Sequence, residues 1–576
     1  MTNVIMYKSS DTFSQIAEGD DLLCVNEVAP NLEERSYSDK KDVNNIEKIE
    51  KIFESALIHS KILYCRPNQI IGSFEVNPTF LISKYKIAIF IETSSKKTPK
   101  NQDKTWEVLR FTARDVNDNL GKCIQNIHDC IKQILKKQAH KFTFVDLFAG
   151  IGGFRIPLEE LGGRCLGFSE IDKKAIETYK NNFVDVNNED EVELGSVTNW
   201  SKLPFENIDL IVGGVPCQSW SVAGKMRGFD DPRGKLWEDT IRIVELNQPK
   251  TFIFENVKGL IDPRNKESLS LIVESFEEIG YSVKYKLLNS YDFGLPQNRE
   301  RIYIVGVRND YAVENKFQFP ENEAKKSYLH EIIEGLDNKH IVYEKEQLDP
   351  TDLFGNKIPM SRNRFQKTNE LNDFFVFCDT RNGHTTIHSW DMIETTEREK
   401  RICLTILRNR RKQKYGSADG NPLSIEHLRE LISDISEEEL RTLINKKILK
   451  FIEGKGYVFV NSKNSSGING LYRIYLPNSN IFSTLTATGT KDVIALNGVE
   501  GKTPEEFRHN FIEGIIKTEK YRGLTARESG KLQGFPEWFA FNKDERFAKK
   551  QFGNAVSTFV VRGVAEALIG LEIYGK

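Results

Sequence analysis

Phe142-Thr143-Phe144-Val145-Asp146-Leu147-Phe148-Ala149-Gly150-Ile151-Gly152-Gly153 is the stretch whose reading decides the fold. Its aromatic and β-branched first half reads as a buried strand. The glycines that follow let backbone approach a ligand closely, and a helix is expected after them through Leu161. Arg164 to Ser169 reads as a second strand that ends in Glu170, about twenty residues past the glycines. At that distance an acid in such folds meets the ribose hydroxyls of an adenosine.

Strand and helix keep alternating downstream. Asp172 to Phe183 reads as a helix, Ile208 to Gly213 as a strand, Thr251 to Val257 as another, and Glu267 to Ile279 as a helix before strands at Tyr281 to Leu288 and Arg301 to Arg308. Such alternation builds a doubly wound, mostly parallel sheet with helices on both faces, whose ligands lie along the carboxyl edge. The third of these strands runs into Val212-Gly213-Gly214-Val215-Pro216-Cys217-Gln218-Ser219-Trp220, which places a nucleophile, Cys217, at that edge.

In chain order the glycine turn, Pro216-Cys217-Gln218, Glu255-Asn256-Val257, Gln297-Asn298-Arg299-Glu300-Arg301 and Gln551-Phe552-Gly553-Asn554-Ala555-Val556 resemble the DNA cytosine-5 methyltransferases of bacterial restriction–modification systems. The resemblance covers Phe142 to Arg308 and Tyr521 to Glu572. It implies a Rossmann-like class I fold dependent on S-adenosylmethionine, with an inserted target-recognition domain. Carbon 5 of cytosine is a poor nucleophile until a thiolate adds at carbon 6 and makes it enamine-like. Cysteine is the side chain suited to that addition, and a carboxyl with a raised pKa best assists at ring nitrogen 3. The resemblance gives these roles to Cys217 and Glu255, and gives Arg299 and Arg301 the base's carbonyl oxygen, the flipped nucleotide's phosphate and the active-site loop. It assigns the methyl donor to Phe148, Gly150, Gly152, Gly153, Glu170, Ser196, Pro216 and Asn554. Ser196 stands where the family usually has Asp to bond the adenine amine; a hydroxyl still accepts that bond, more weakly.

The target atom is buried in a duplex, so the nucleotide has to be extruded. Gln218, Ser221 and Arg233 belong to a glycine-rich basic loop able to close on double-stranded DNA. Ser483-Thr484-Leu485-Thr486-Ala487-Thr488-Gly489 resembles the Thr-Leu dipeptide near the end of target-recognition domains, which makes Thr484 and Leu485 expected DNA contacts. Arg398 to Lys414 holds eight Lys or Arg and one acid, and from it Arg408, Arg410 and Arg411 are expected on phosphates.

The expected domains are a flexible lead-in over 1–50, a small α/β domain over 51–140, the catalytic domain over 141–310, target recognition over 311–510 and a return to the catalytic domain over 511–576. Within the insertion, 422–460 has a winged-helix pattern of helix, turn, helix and hairpin. The 51–140 segment, with strands expected near Ile70, Tyr85 and Trp106, looks like the restriction-endonuclease-like fold of very-short-patch repair nucleases. Asn77 and Phe90 stand where that fold needs acids, which leaves Glu92 alone and points to a relic or docking domain.

The 576 residues, 39% hydrophobic and 28% charged, fit a chain of several globular domains, and a net charge of −2 confines nucleic-acid binding to local patches. No cysteine or histidine spacing suggests a metal site, and no apolar run is read as a bilayer span, so the expected protein is a cytoplasmic monomer with reduced thiols, paired with a restriction endonuclease. Two alternatives stay open: an RNA cytosine-5 methyltransferase with the same site, and a catalytically silent DNA-binding regulator.

Overall fold

The computed structural model describes residues 22–23, 40–60, 62–67, 77–92, 105–137, 140–183, 191–216, 236–311, 316–321, 327–337, 375–377, 389–410, 412–417, 420–460, 473–490, 492–500 and 504–574. They form two compact units, one of 1–138 with 176–189 and 537–548, the other of 139–175, 190–536 and 549–576.

The first unit pairs helices α1 (Lys40–His59) and α2 (Ala113–Lys137) with three strands, β1 (Phe80–Ile82), β2 (Ile87–Glu92) and β3 (Glu107–Thr112). β1 runs antiparallel to β2, and β2 parallel to β3. Ile49, Phe53, Phe80, Ile89, Phe111 and Ile127 fill the core between helices and sheet. Helix α1 begins eleven residues before the expected domain start, inside the stretch read as a flexible lead-in. Its apolar positions Ile49, Ile52, Phe53, Ala56 and Leu57 recur at helical spacing and are packed. The strand expected near Ile70 falls mostly outside the described residues. Glu92 is ion-paired with Arg110 at 2.6 Å, and the Arg110 guanidinium lies 4.7 Å from the centre of the Phe90 ring.

The doubly wound pattern takes the form of β4 (Phe142–Leu147), α3 (Arg155–Glu160), β5 (Gly163–Ser169), α4 (Lys173–Phe183), β6 (Val192–Glu193), β7 (Leu210–Gly214), α5 (Leu236–Asn247), β8 (Thr251–Val257), α6 (Lys266–Glu278), β9 (Tyr281–Asn289) and β10 (Glu300–Arg308), all in the second unit except α4 from residue 176 on. The seven strands lie in the order β9-β10-β8-β7-β4-β5-β6. Pairing is parallel from β8 to β6, and β10 is antiparallel to both of its neighbours. One face is covered by Trp237, Ile243, Phe252, Phe254, Ile272 and Phe276. The other holds Val212, Ile253, Tyr303 and Val305 against Val560, Val561 and Val564 of α12 (Thr558–Ile569).

The inserted segment has its own small core. Helices α7 (Glu397–Asn409), α8 (Ile425–Leu431) and α9 (Glu437–Asn445) precede the hairpin of β11 (Leu449–Ile452) and β12 (Gly456–Phe459). Thr396 with Glu399, and Ser436 with Glu439, cap α7 and α9 reciprocally. Around this core β13 (Arg473–Tyr475), β14 (Val493–Ala495) and β15 (Tyr521–Arg522) join Phe375–Phe377 in a four-stranded sheet. Tyr521–Arg522, past the expected end of the insertion at 510, pairs with β14. The C-terminal return also departs from one continuous domain, since 537–548 clusters with the first unit.

Glu545–Ile569 is apolar enough over 25 residues to count as a candidate bilayer span, which the sequence reading did not anticipate. It is two helices, α11 (Glu545–Asn554) and α12, and Val560, Val561, Val564 and Leu568 are all buried in the core.

Arg155, 1% exposed, opens α3 and donates to Glu159 at 2.7 Å and to both oxygens of Glu191 at 2.5 and 2.9 Å. Taking one partner from a buried pair strands the other charge. Arg155→Met should lower unfolding stability by about 3–5 kcal/mol, measured by urea titration followed by tryptophan fluorescence; a loss under about 1 kcal/mol would mean that Glu191 reaches water.

Candidate active site

The turn after β4 is built as its glycines demand. Gly150 and Gly152 have φ of 56° and 89°, and Phe148 also sits in the left-handed region at 53°. Gly150 donates its N–H to Glu170 Oε2 at 2.8 Å, while Glu170 Oε1 accepts from the backbone of Ile171 at 2.7 Å and Asp172 at 2.9 Å. The acid that ends β5 is thus fixed against the turn. A side chain at Gly150 or Gly195 would meet nothing within 4 Å, so both border open space. At Gly153, by contrast, a Cβ would lie 2.9 Å from Val556, so glycine is needed there for the chain segment before α12 to pack against the turn.

Ser196 caps a short 3-10 turn: its Oγ accepts from Thr198 N at 3.3 Å and lies 2.8 Å from the Thr198 hydroxyl. Asn554 is exposed and closes the last turn of α11. Two neighbours were overlooked. Ile171, 74% exposed beside Glu170, offers an apolar surface to a flat ring, and its signal was a β-branched residue next to the strand-end acid. Asn256, 1% exposed, donates from Nδ2 to Val215 O at 3.2 Å and pins the chain two residues before Cys217.

Glu255 is placed by the ladder itself. β7 and β8 are parallel with Gly214 opposite Glu255, and a Cβ on Gly214 would come 3.8 Å from Glu255 Oε2. The carboxyl is 8% exposed. Burial pushes its pKa above the ordinary 4.5, against the pull of Arg301 and Arg299. Arg301 Nε lies 3.0 Å from Glu255 Oε1, and Arg301 keeps partial access to solvent. Tyr303 faces Glu255 across the β10–β8 ladder and is itself buried. Cys217, Gln218, Ser221, Arg233 and Arg411 lie outside the described residues.

Four expected contacts need correction. Arg299, 2% exposed, does not share a target with Arg301: it donates to the carbonyls of Leu485 at 3.0 Å, Gly553 at 3.3 Å and Ala555 at 2.8 Å. Leu485 is buried in a core cluster, and the Thr484 hydroxyl bonds inward to Asn298 O. The exposed part of that motif is Thr486 and Thr488 to Thr490. Arg410, 3% exposed, lies 5.5 Å over the Phe459 ring and is no surface phosphate ligand. Much of the basic run is paired within the insertion: Arg398 with Asp434 and Glu439, Lys400 with Glu397, Lys414 with Glu430. Arg401, Arg408 and Lys412 are exposed.

A doubly wound sheet that carries a glycine turn, a strand-end acid and a buried carboxyl on its carboxyl edge defines a class I methyltransferase fold. The sequence profile of the C-5 cytosine-specific DNA methylases matches residues 142–570, and the chain belongs to that family. It is 46% identical over 438 residues to the Type II methyltransferase M.HgiBI of Herpetosiphon aurantiacus, covering 75% of this chain and 98% of the relative. It is 33% identical over 450 residues to the Type II methyltransferase M.BanI of Aneurinibacillus aneurinilyticus, covering 74% and 96%. To M.HhaI of Haemophilus parahaemolyticus it is 37% identical over 221 residues, 38% of this chain and 65% of the relative. The activity is therefore DNA cytosine-5 methylation, and of the two alternatives neither RNA methylation nor a silent regulator is the family's description.

Because folding raises the Glu255 pKa, the protonated carboxyl favours the fold; that contribution is complete below the unfolded value and is lost as pH rises through the folded one. Glu255→Gln removes the titration. The variant's stability relative to its parent should climb as pH rises above ~4.5 and then level off. A thermal-melt series checks it, and a difference independent of pH would mean that Glu255 ionises freely.

Proposed function

We propose that this chain methylates an extruded cytosine of duplex DNA through a covalent Cys217 adduct, with S-adenosylmethionine as donor, and that it shields DNA from a partner restriction endonuclease. The observation that carries the catalytic reading is Glu255: buried, pushed up in pKa, held by Arg301, and in register with Gly214. Cys217 follows Gly214 by three residues. Three residues span at most about 10 Å, so the thiol has to lie near the same edge. The pairing with a nuclease is supported by relatives that are named Type II methyltransferases.

In this reading the Cys217 thiolate adds to carbon 6 of the ring. Glu255, whose proton affinity burial raises, donates at nitrogen 3 and takes up the developing charge, while Arg301 steadies the carboxyl and faces the base's carbonyl oxygen. Carbon 5 then has the electron density to accept a methyl group. S-adenosylmethionine supplies that group from a sulfonium, the leaving group so weak a carbon nucleophile needs. Loss of the carbon 5 proton to a base expels the Cys217 thiolate and restores the aromatic ring, and nitrogen 3 gives its proton back to Glu255, so the enzyme returns unchanged.

The donor site fits its residues. The amide turn at Gly150 and the open space over Gly150 and Gly195 leave room for the methionine part and the adenosine. Glu170 is placed to accept from ribose hydroxyls, Ile171 to cover the adenine, and Ser196 to bond its amine; Phe148, Gly152, Pro216 and Asn554 border the same edge.

DNA is gripped from the insertion by Arg401, Arg408 and Lys412, and the turn from Thr486 to Gly489 reads the target. The 422–460 segment acts as a winged helix that orients this grip. Its hairpin presents Lys450 and Phe451, both exposed, whereas α9 starts with Glu437, Glu438 and Glu439. Three acids at a helix N-terminus repel phosphates, so α9 does not enter a groove by that end.

Cys217→Ser should abolish methyl transfer and leave binding of duplex and donor nearly intact. Duplex carrying 5-fluorocytosine at the target should trap the parent as a covalent complex on a denaturing gel and should not trap the variant. A tenth of the parental rate in the serine variant would remove Cys217 from the mechanism.

Replacing Arg401, Arg408 and Lys412 together with glutamine should weaken binding to all duplexes alike. The slope of log affinity against log salt should flatten by about 0.9 for each phosphate that the variant no longer neutralises. Filter binding at several salt concentrations reads this, and an unchanged slope would assign the three side chains to solvated surface.

A further inference from the structure

Arg299 engages three backbone carbonyls from two distant parts of the chain: Leu485, within the insertion, and Gly553 and Ala555, the first in the last turn of α11 and the second just after it. Around it the backbone is zipped. Phe482 donates to Pro296 O at 2.7 Å and accepts from Asn298 N at 2.8 Å. Thr484 bonds through its hydroxyl to Asn298 O, and Asn289 Oδ1 accepts from Arg299 N at 3.0 Å. Gly553 completes the fit, because a Cβ there would lie 2.4 Å from the Thr486 carbonyl.

Immediately beyond this lock comes the exposed turn. Gly489 donates to Thr486 O at 3.0 Å, the Thr486 hydroxyl donates to Gly489 O at 2.8 Å, and Gly489 takes φ of 81°. The turn is preformed by its own bonds, and its root is held by Arg299. Two residues after Arg299, Arg301 holds Glu255.

We infer that Arg299 is a positioning residue for target discrimination: its guanidinium locks the root of the Thr486–Gly489 turn to the strand that carries Arg301, and it does not bind the nucleotide. This rests on reading that turn as the target reader. A planar fork suits three carbonyls at fixed angles, which a lysine ammonium on a flexible stem cannot match. A correct base pair under the turn then places the extruded cytosine correctly against Glu255. Misplacement by about 1 Å costs on the order of 100-fold in rate. A loosened root lowers the rate on the cognate site more than on an altered one.

The target is first set by bisulfite sequencing of DNA from a host that expresses the protein. Arg299→Lys should then lower kcat on the cognate duplex, with KM for S-adenosylmethionine within about twofold of the parent. The ratio of kcat/KM between the cognate duplex and one altered by a single base pair should fall about tenfold or more, as a loosened reader predicts. Thr484→Val should move the ratio the same way, and Thr484→Ser, which keeps the hydroxyl, should restore it. If Arg299→Lys does not fold, the Thr484 pair decides. A cognate and an altered duplex that slow in equal proportion would make Arg299 a substrate ligand and overturn the inference, as would an unmoved ratio in both Arg299→Lys and Thr484→Val. Thr486→Ala with Thr488→Ala separates the two levels. An unmoved ratio there removes the turn as reader, whereas a shift there without one in Arg299→Lys and Thr484→Val removes the lock alone.

Discussion

The parallel ladder between β7 and β8 is the constraint on which the site depends. By setting Gly214 opposite Glu255 it fixes, through backbone hydrogen bonds alone, which residue of one strand end meets which residue of the next. A slip of one residue would turn Glu255 to the opposite face, among Phe252, Phe254 and Phe276. The apolar alternation prevents that slip, since Ile253 and Val212 face α12 while Phe252 and Phe254 face α6. Hydrophobic packing thus sets the register, and the register delivers a carboxyl to a place where burial pushes its pKa up.

That carboxyl has to be buried and yet able to act, and the two arginines of β10 divide the work. Arg301 tempers the cost of burying a carboxyl with an ion pair, while Tyr303 and the valines beneath keep water from solvating it. Arg299 faces a different task. Leu485, Gly553 and Ala555 each offer a carbonyl that no strand pairs, and a buried carbonyl without a donor is costly. A guanidinium has donors enough for all three, so one side chain satisfies carbonyls that the backbone bonds of Phe482 with Pro296 and Asn298 leave unpaired.

What the sequence made legible was whatever is written locally. The strand-turn-helix around Gly150, the acid at Glu170 and the capping box of Ser436 with Glu439 each occupy a few residues, and each has the geometry its spacing implies. Glu255 was legible because its motif sits at a strand end. The role of Arg299 was not, since its partners lie 186, 254 and 256 residues away and are main-chain atoms, which leave no trace in side-chain pattern. Arg410 misled for a related reason: charge density marks a surface only if the charges stay on it, and here a Phe459 ring and Gly420 form a slot for one of them. A Cβ at Gly420 would lie 2.7 Å from Arg410 Nη2.

The limits of the family match and the limits of the structure do not coincide, and the disagreement says how the N-terminal residues are attached. The match begins at 142, yet 176–189 and 537–548 belong to the same unit as 1–138. Within that unit Lys84 donates to Asn182 O at 2.8 Å and sits over the Phe183 and Trp538 rings. Leu22–Leu23 pairs as a strand with Phe541–Asn542. A domain tethered by a linker would leave those rings and that strand edge to water. Here they are covered by residues of the N-terminal stretch, and an aromatic cluster of Phe183, Trp538 and Phe539 needs such cover to stay out of solvent. The packing of Lys84 and of Leu22–Leu23 within this unit gives the N-terminal residues a structural reason to be part of a methyltransferase.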